Sequence, residues 1–269
     1  MAWTINNGKL YFNTNLYTGD GSTSRSITGV GFQPDWVWVK SRSATYYHGL
    51  WDAVRTNKSA LYSNVANAED TSTGGTLGSL DSDGFTTQNV SGGFINNNGT
   101  TYASWNWKAG GSASNNTDGN TTTSVSVNQD AGFSIMKYAG DGNDSTIGHG
   151  LGAKPEYIIF KEIDGAESWR VWSKYTPDTA SKALALNLTD AAFSQSGWIG
   201  AISTSTISIG TDSSINTNGN NYIAYAFAPK QGYSKFGSYT GNGNADGTFV
   251  YTGFKPAFVM IKKTSGTSN

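Results

Sequence analysis

The sequence predicts an all-β protein of tandem antiparallel β-sandwich (jelly-roll-like) repeats. Three observations lead there: a block that recurs three times, strands of period two preceded by Asn-Gly turns, and a turn-rich composition with few charges. The block runs Tyr17-Thr18-Gly19-Asp20-Gly21, then Pro34 and an apolar strand ending at Lys40. Its second copy is Tyr138-Ala139-Gly140-Asp141-Gly142, then Pro155 and Tyr157–Lys161. The third is Tyr239-Thr240-Gly241-Asn242-Gly243, then Pro256 and Phe258–Lys262. From Gly19 to Pro34, Gly140 to Pro155 and Gly241 to Pro256 the distance is 15 residues each time. Repetition at a fixed frame means a repeated structural unit.

Within each unit the elements follow in order. Pro opens the first apolar strand, where a missing N–H costs least. Trp36–Val39 and its equivalents are apolar on both faces, as expected of a central strand between two layers. Trp51 lies 17 residues after Pro34, and Trp172 lies 17 after Pro155. Trp51–Arg55 and Thr189–Phe193 are the only segments that suggest single helical turns. Asn98-Gly99 and Asn218-Gly219 are the pair most favoured in tight turns between antiparallel strands. After them Ala103, Trp105 and Trp107 alternate with Tyr102, Ser104 and Asn106, and Ile223, Tyr225 and Phe227 repeat the pattern. That is the mark of a half-buried strand.

The spacing sets the organisation: a first sandwich over 1–108, a flexible linker over 109–124, a second sandwich over 125–230, and the start of a truncated third repeat over 231–269. The linker reading rests on Ala109–Ser124, which has no apolar period and is rich in Gly, Ser and Asn. Sandwiches strung on such a linker make an elongated object. The third head has no second half, and two strands cannot bury a core alone, so it needs more chain or a neighbour.

Composition excludes some functions. Eighteen basic against 19 acidic residues give a net charge of −1, so nothing favours nucleic acid. Aromatic residues make up 13% of the chain, enough to fill real cores and unlike a disordered chain. There is no cysteine to support disulfides. No stretch approaches the ~20 apolar residues that span a bilayer, so no membrane insertion is expected. The N-terminus lacks the pattern of a signal peptide, which implies synthesis in a host cytoplasm and a route outward by assembly and lysis.

No catalytic set is expected. Glu occurs only at 69, 156, 162 and 167, and Asp35 and Glu156, which share a place in the frame, read as a solvated rim beside Pro. His48 and His149 occupy different places in the unit, and no Cys nucleophile exists. Asp20-Gly21, Asp81–Gly84 and Asp141–Asp144 are oxygen-rich but lack the spacing of a calcium loop, and read as turns; no metal and no cofactor is expected. Glycan contact is the more credible site. The cluster Tyr46, Tyr47 and His48 with Trp51 and Arg55, joined by Trp169 in the second unit, carries aromatic faces on which sugars stack. Trp51 and Trp172 hold equivalent places, so a core role competes for them.

Gly31–Ser43, Trp51–Arg55, Leu61-Tyr62-Ser63-Asn64, Ala68-Glu69, Ser82–Thr86 and Tyr102–Gly111 together resemble a repeated domain of uncertain function. That domain occurs in virion proteins of marine and cyanobacterial tailed phages labelled tail-fibre, lectin-like or structural. The resemblance covers nearly all of the first unit; the second departs where Ser173-Lys174-Tyr175 replaces the Asp-x-x-Arg segment. It implies a virion location and other virion proteins as partners, and supplies no catalytic residues. The expected function is a phage virion structural protein, a tail-fibre or adhesin component that contacts host-surface glycans and assembles as a homo-oligomer, with a trimer favoured. A capsid-decorating or head-fibre protein is the alternative, and a polysaccharide-degrading enzyme a more distant one.

Overall fold

The computed structural model describes residues 4–55, 59–72, 77–88, 94–179 and 181–266; Met1 to Trp3, part of the segment read for a leader, lie outside them. Among the described residues the chain is built of strands, with one 3-10 turn at Gly8–Leu10 and one helical turn at Ser213–Asn216. Neither expected helical turn forms: Trp51 and Asp52 lie in one strand and Phe193 lies in another.

The first unit has β1 (Phe12–Thr18), β2 (Ser24–Thr28), β3 (Trp36–Ser41), β4 (Gly49–Asp52), β5 (Leu61–Tyr62), β6 (Leu77–Asp81), β7 (Gly84–Gln88) and β8 (Thr101–Trp107). Its larger sheet has the order β1-β8-β3-β4-β5 and its smaller one β2-β7-β6, all antiparallel. The second unit adds β9 (Ser114–Asn116) and β10 (Thr123–Asn128). It then repeats the first with β11 (Phe133–Ala139), β12 (Ser145–Gly148), β13 (Tyr157–Glu162), β14 (Arg170–Ser173), β15 (Lys182–Ala185), β16 (Phe193–Ser194), β17 (Ile199–Ile202), β18 (Thr206–Ile209) and β19 (Asn221–Phe227). The order β11-β19-β13-β14-β15 matches β1-β8-β3-β4-β5, and β12-β18-β17 matches β2-β7-β6. The register agrees too: Val37 pairs with Trp51 as Ile158 pairs with Trp172. Trp51 and Trp172 fill the two sandwich cores, which settles their place on the core side.

The two sandwiches are stacked, not strung out. A third core lies between the larger sheets and joins Trp36, Trp38 and Trp107 of the first unit to Phe133, Ile159, Trp169 and Tyr225 of the second. Trp36 stacks on Tyr225 with ring centroids 4.4 Å apart and on Phe133 at 5.6 Å. This explains the strands with two apolar faces. Val37 and Val39 face the sandwich core, while Trp36 and Trp38 face the other unit. It also corrects the half-buried reading of β8 and β19. Ser104 and Asn106 on the polar face are fully buried, and Asn106 Nδ2 donates to Asn13 O at 3.1 Å and Ser104 Oγ at 3.1 Å.

Residues 109–124, read as a flexible linker, are fastened at several points. Strand β9 pairs with β10, and Gly110 N donates to Ser126 Oγ at 3.0 Å. Asp35, expected on a solvated rim, is buried; its Oδ2 accepts from Ala109 N at 2.7 Å and Gly111 N at 3.2 Å. A short acid beside Pro34 thus satisfies two N–H groups that lie outside the strand ladders. Its equivalent Glu156 instead takes Lys174 Nζ at 2.5 Å and Tyr175 Oη at 2.9 Å.

The third head makes no ladder among the described residues beyond the isolated Lys230–Ser234 bridge, so the expected strand at Phe258–Lys262 does not form. Phe258 rests on Phe12, Trp38, Trp105 and Trp107 at the end of the inter-unit core. The oxygen-rich turns bind the protein itself: Asp83 accepts from Gly29 N and Gly31 N, which hold its carboxyl below the usual range. Among the described residues no helix is long and apolar enough to cross a membrane.

Candidate functional site

The β3–β4 connection leaves the sheet after Ser41 and is held at both ends. Ser41 Oγ accepts from Ala44 N at 3.0 Å, and Asn64 Oδ1 accepts from His48 N at 2.9 Å. Ser63 N returns to His48 O at 3.0 Å. Between these anchors Tyr46 and Tyr47 project outward, 36% and 46% exposed. Tyr47 lies over the Tyr62 ring at 4.8 Å, Tyr62 meets Phe94 edge-on at 5.5 Å, and Phe94 stacks on Trp51 at 6.1 Å. A continuous aromatic chain therefore runs from the core to the surface, and stacked rings of this kind are stiff at low entropic cost.

Beside that chain opens a cleft of about 680 Å³ lined by Lys40, Thr45, Tyr46, Tyr47, His48, Tyr62, Asn64, Asp70, Ser72 and Phe94. A smaller cavity of about 220 Å³ shares His48 and Asn64 with it and reaches Leu186, Asn187, Leu188 and Thr189 of the second unit. Tyr62 Oη donates to Asp70 Oδ2 at 2.5 Å, and Ser72 N donates to Asp70 Oδ1 at 2.9 Å. Burial and the Asp70 carboxylate raise the Tyr62 hydroxyl. Burial pushes the Asp70 carboxyl up, but the hydrogen bonds from Ser72 and Tyr62 outweigh it and leave it below the usual range. Asp70 is therefore an ionised acceptor and not a proton donor at neutral pH. Burial, and then the Lys40 ammonium, push the His48 imidazole down to about 4. His48 is neutral across the physiological range and offers one donor and one acceptor.

The remaining residues expected at a binding surface are interior. Trp51 is fully buried. Arg55 is also buried: its Nε donates to Asp52 Oδ2 at 2.7 Å, its Nη1 to Glu69 Oε1 at 2.6 Å and its Nη2 to Leu50 O at 3.2 Å. Burial works against its charge, but Asp52, Tyr225 and Glu69 outweigh it and raise the guanidinium. Across the unit boundary Tyr225 Oη donates to the same Asp52 Oδ2 at 2.8 Å. Trp169, fully buried, crosses from the second unit and donates its indole N–H to Tyr62 O at 2.8 Å. It supports the aromatic chain from behind and touches no open surface. Sharing a short loop region with Tyr46 does not bring a side chain to the same face, because β4 is buried on both sides, with Trp51 in the sandwich core and Leu50 in the inter-unit core.

Sequence reasoning missed Tyr62, Asp70 and Phe94. A signal for Tyr62 was present: the repeat frame sets Leu61-Tyr62 against Leu184-Ala185, so the tyrosine is particular to the first unit. Asp70 and Phe94 carry no such mark. The cleft offers exposed phenol faces, a neutral imidazole, an amide and an ionised carboxylate, a set that can stack on an apolar face and fix hydroxyl groups around it.

No curated protein and no solved structure matches the chain. One family model does match, over residues 7–269, so it takes in both sandwiches and the third head as one unit. By that match the protein belongs to the family described as Domain of unknown function (DUF7483).

Proposed function

We propose that the protein is a non-enzymatic glycan-binding structural module, a tail-fibre or adhesin component of a tailed phage, made in the host cytoplasm and displayed on the virion. The observation that carries the binding reading is the exposed Tyr46–Tyr47 pair backed by Tyr62 and Phe94 at the mouth of the cleft. The pyranose apolar face stacks on the phenol rings, while Asp70, Asn64 and His48 take hydroxyl groups. The virion reading rests on the phage resemblance and on two stacked sandwiches of neutral, turn-rich composition.

A titration of the intact protein with a panel of neutral oligosaccharides, followed through tyrosine and tryptophan fluorescence, tests the cleft. Binding that is lost in Tyr47→Ala with an unchanged melting temperature supports the reading. Binding that survives both Tyr46→Ala and Tyr47→Ala, or release of reducing sugar on prolonged incubation, overturns it. Antibody labelling of purified particles tests location: labelled tail tips are expected, whereas label on the capsid favours a head fibre and no label removes the virion assignment.

A further inference from the structure

In both complete units the head block is gripped by one sequence, Ile-Asn-x-Asn-Gly-x-x-Tyr, at Ile95–Tyr102 and Ile215–Tyr222. The contacts repeat bond for bond. Tyr17 Oη donates to Ile95 O at 2.8 Å, and Tyr138 Oη to Ile215 O at 2.8 Å. Asp20 N and Asp141 N donate to the side-chain oxygens of Asn96 and Asn216 at 3.2 Å and 2.9 Å. Gly21 N and Gly142 N donate to the backbone oxygens of the same two residues at 2.9 Å and 3.0 Å. Tyr17 stacks on Tyr102 and Tyr138 on Tyr222. The approach is so close that a Cβ on Gly19 would sit 2.2 Å from Asn97 O, and one on Gly140 2.3 Å from Thr217 O.

The third head keeps this equipment with no counterpart strand among the described residues. Asn242 Oδ1 accepts from Asn244 N at 3.0 Å, as Asp20 accepts from Ser22 N and Asp141 from Asn143 N at 2.9 Å. Gly243 has φ +72°, beside +73° for Gly21 and +72° for Gly142. Yet a Cβ on Gly241 would meet nothing within 4 Å. Val259 and Ile261 are 63% and 66% exposed, where their equivalents Val37 and Val39 are 0% and 1% and Ile158 and Phe160 are 0%. A glycine has no steric use at an open position, and apolar side chains of strand pattern at such exposure mark an interface.

We propose that the third head, Tyr239–Lys262, is a docking site for a β-strand bearing Ile-Asn-x-Asn-Gly-x-x-Tyr. The strand inserts between the Tyr239 and Val259 segments and adds to them by main-chain pairing. The donor is a polypeptide segment not already built into a sandwich. Ile95–Trp107 and Ile215–Phe227 of a second copy are committed, since each carries an interior strand of its own sheet and withdrawal would open a core.

A peptide with the sequence of Ile215–Phe227, carried on a soluble fusion partner, is titrated into the whole protein. Saturable one-to-one binding is expected, with shifts of the Gly241 and Gly243 amide resonances and hydrogen-exchange protection over Tyr239–Lys262. Gly241→Val, which meets open space in the unbound protein, should keep the melting temperature and weaken binding by at least about tenfold. Replacing the peptide residue that corresponds to Asn216 by Ala should weaken binding as well. No shift at Gly241 overturns the proposal. So do shifts at Gly19 or Gly140 instead, which signal strand exchange into a sandwich, and equal binding by Gly241→Val. Self-association that shifts Gly241 without peptide overturns the assignment of the donor.

Discussion

The hydroxyl of Tyr225 is a sensitive probe of whether the two sandwiches act as one body. It belongs to β19 in the second unit and donates at 2.8 Å to Asp52 Oδ2 at the end of β4 in the first. Asp52 is fully buried and also accepts from Arg55 Nε, Arg55 N and Val54 N. Tyr225→Phe removes one hydrogen bond to a buried carboxylate and leaves the ring stacked on Trp36. A hydrogen bond to a charged group contributes ~1.5–3 kcal/mol. At about 2–4 °C per kcal/mol for a chain of this size, the melting temperature should fall by roughly 3–12 °C. Calorimetry of the wild type should show one transition, and in the variant that whole transition should move, because the bond joins the units. A double-mutant cycle with Asp52→Asn should give a coupling of at least ~1 kcal/mol. Two separable transitions with only one displaced, or a change below about 0.5 kcal/mol, would refute the stacked arrangement and favour independent sandwiches on a tether.

Three further outcomes follow from the geometry. Arg55→Ala should cost about 3–5 kcal/mol in a urea melt by leaving Asp52 buried and partly unpaired; a variant that melts normally would return Arg55 to the surface. Asp35→Ala should cost ~1–3 kcal/mol and raise hydrogen exchange at the Ala109 and Gly111 amides. His48 should titrate near 4 in an NMR pH series, so oligosaccharide binding should stay flat from neutral pH to about 5. The folded value lies below the ordinary 6.5, so the unfolded chain takes up the proton first. Its contribution to stability is full above 6.5 and declines as pH falls through 4. A midpoint above 6 would show that Lys40 and burial do not act on this imidazole.

What the sequence made legible was everything that recurs. Pro34 and Pro155, Trp51 and Trp172, and the Asn-Gly turns fall on equivalent positions of two sandwiches with the same strand order. What it hid were the contacts between units. Trp36, Trp38 and Val37, Val39 announce a strand buried on both faces, but periodicity records that a face is covered and not by what. Hence the first unit seemed self-sufficient and Ala109–Ser124 seemed a tether. Asp35 misled for a related reason: an acid next to Pro reads as solvated unless the N–H groups of Ala109 and Gly111, 74 and 76 residues away, are known to need an acceptor. At the cleft, Tyr46, Tyr47 and His48 stood out because they differ between copies. Arg55 and Trp169 were misplaced because polarity and aromaticity do not reveal the buried partners, Asp52 and Glu69 for the one and Tyr62 O for the other, that draw them inward.

The arithmetic of the repeat bears on what kind of object this is. The described structure holds three heads and two Ile-Asn-x-Asn-Gly-x-x-Tyr strands, and each strand makes its grip within its own unit. Gly243 suits its positive φ in any case, but Gly241, with open space around it, costs unfolded-state entropy without return unless a strand approaches it. Both stand where the grip requires them, as do the Asn242 turn and the Val259–Ile261 alternation. A matched strand would add to this head with the same bonds that close the first two units. The inter-unit core shows what such an addition stabilises. Phe258 already rests on Trp105 and Trp107, Lys262 Nζ donates to Leu188 O, and Ala192 N donates to Thr264 O at 3.1 Å, so the third head is docked on the stack before any partner strand arrives. Addition would then order a segment held at its base, which lowers the entropic cost of association relative to a free peptide pair.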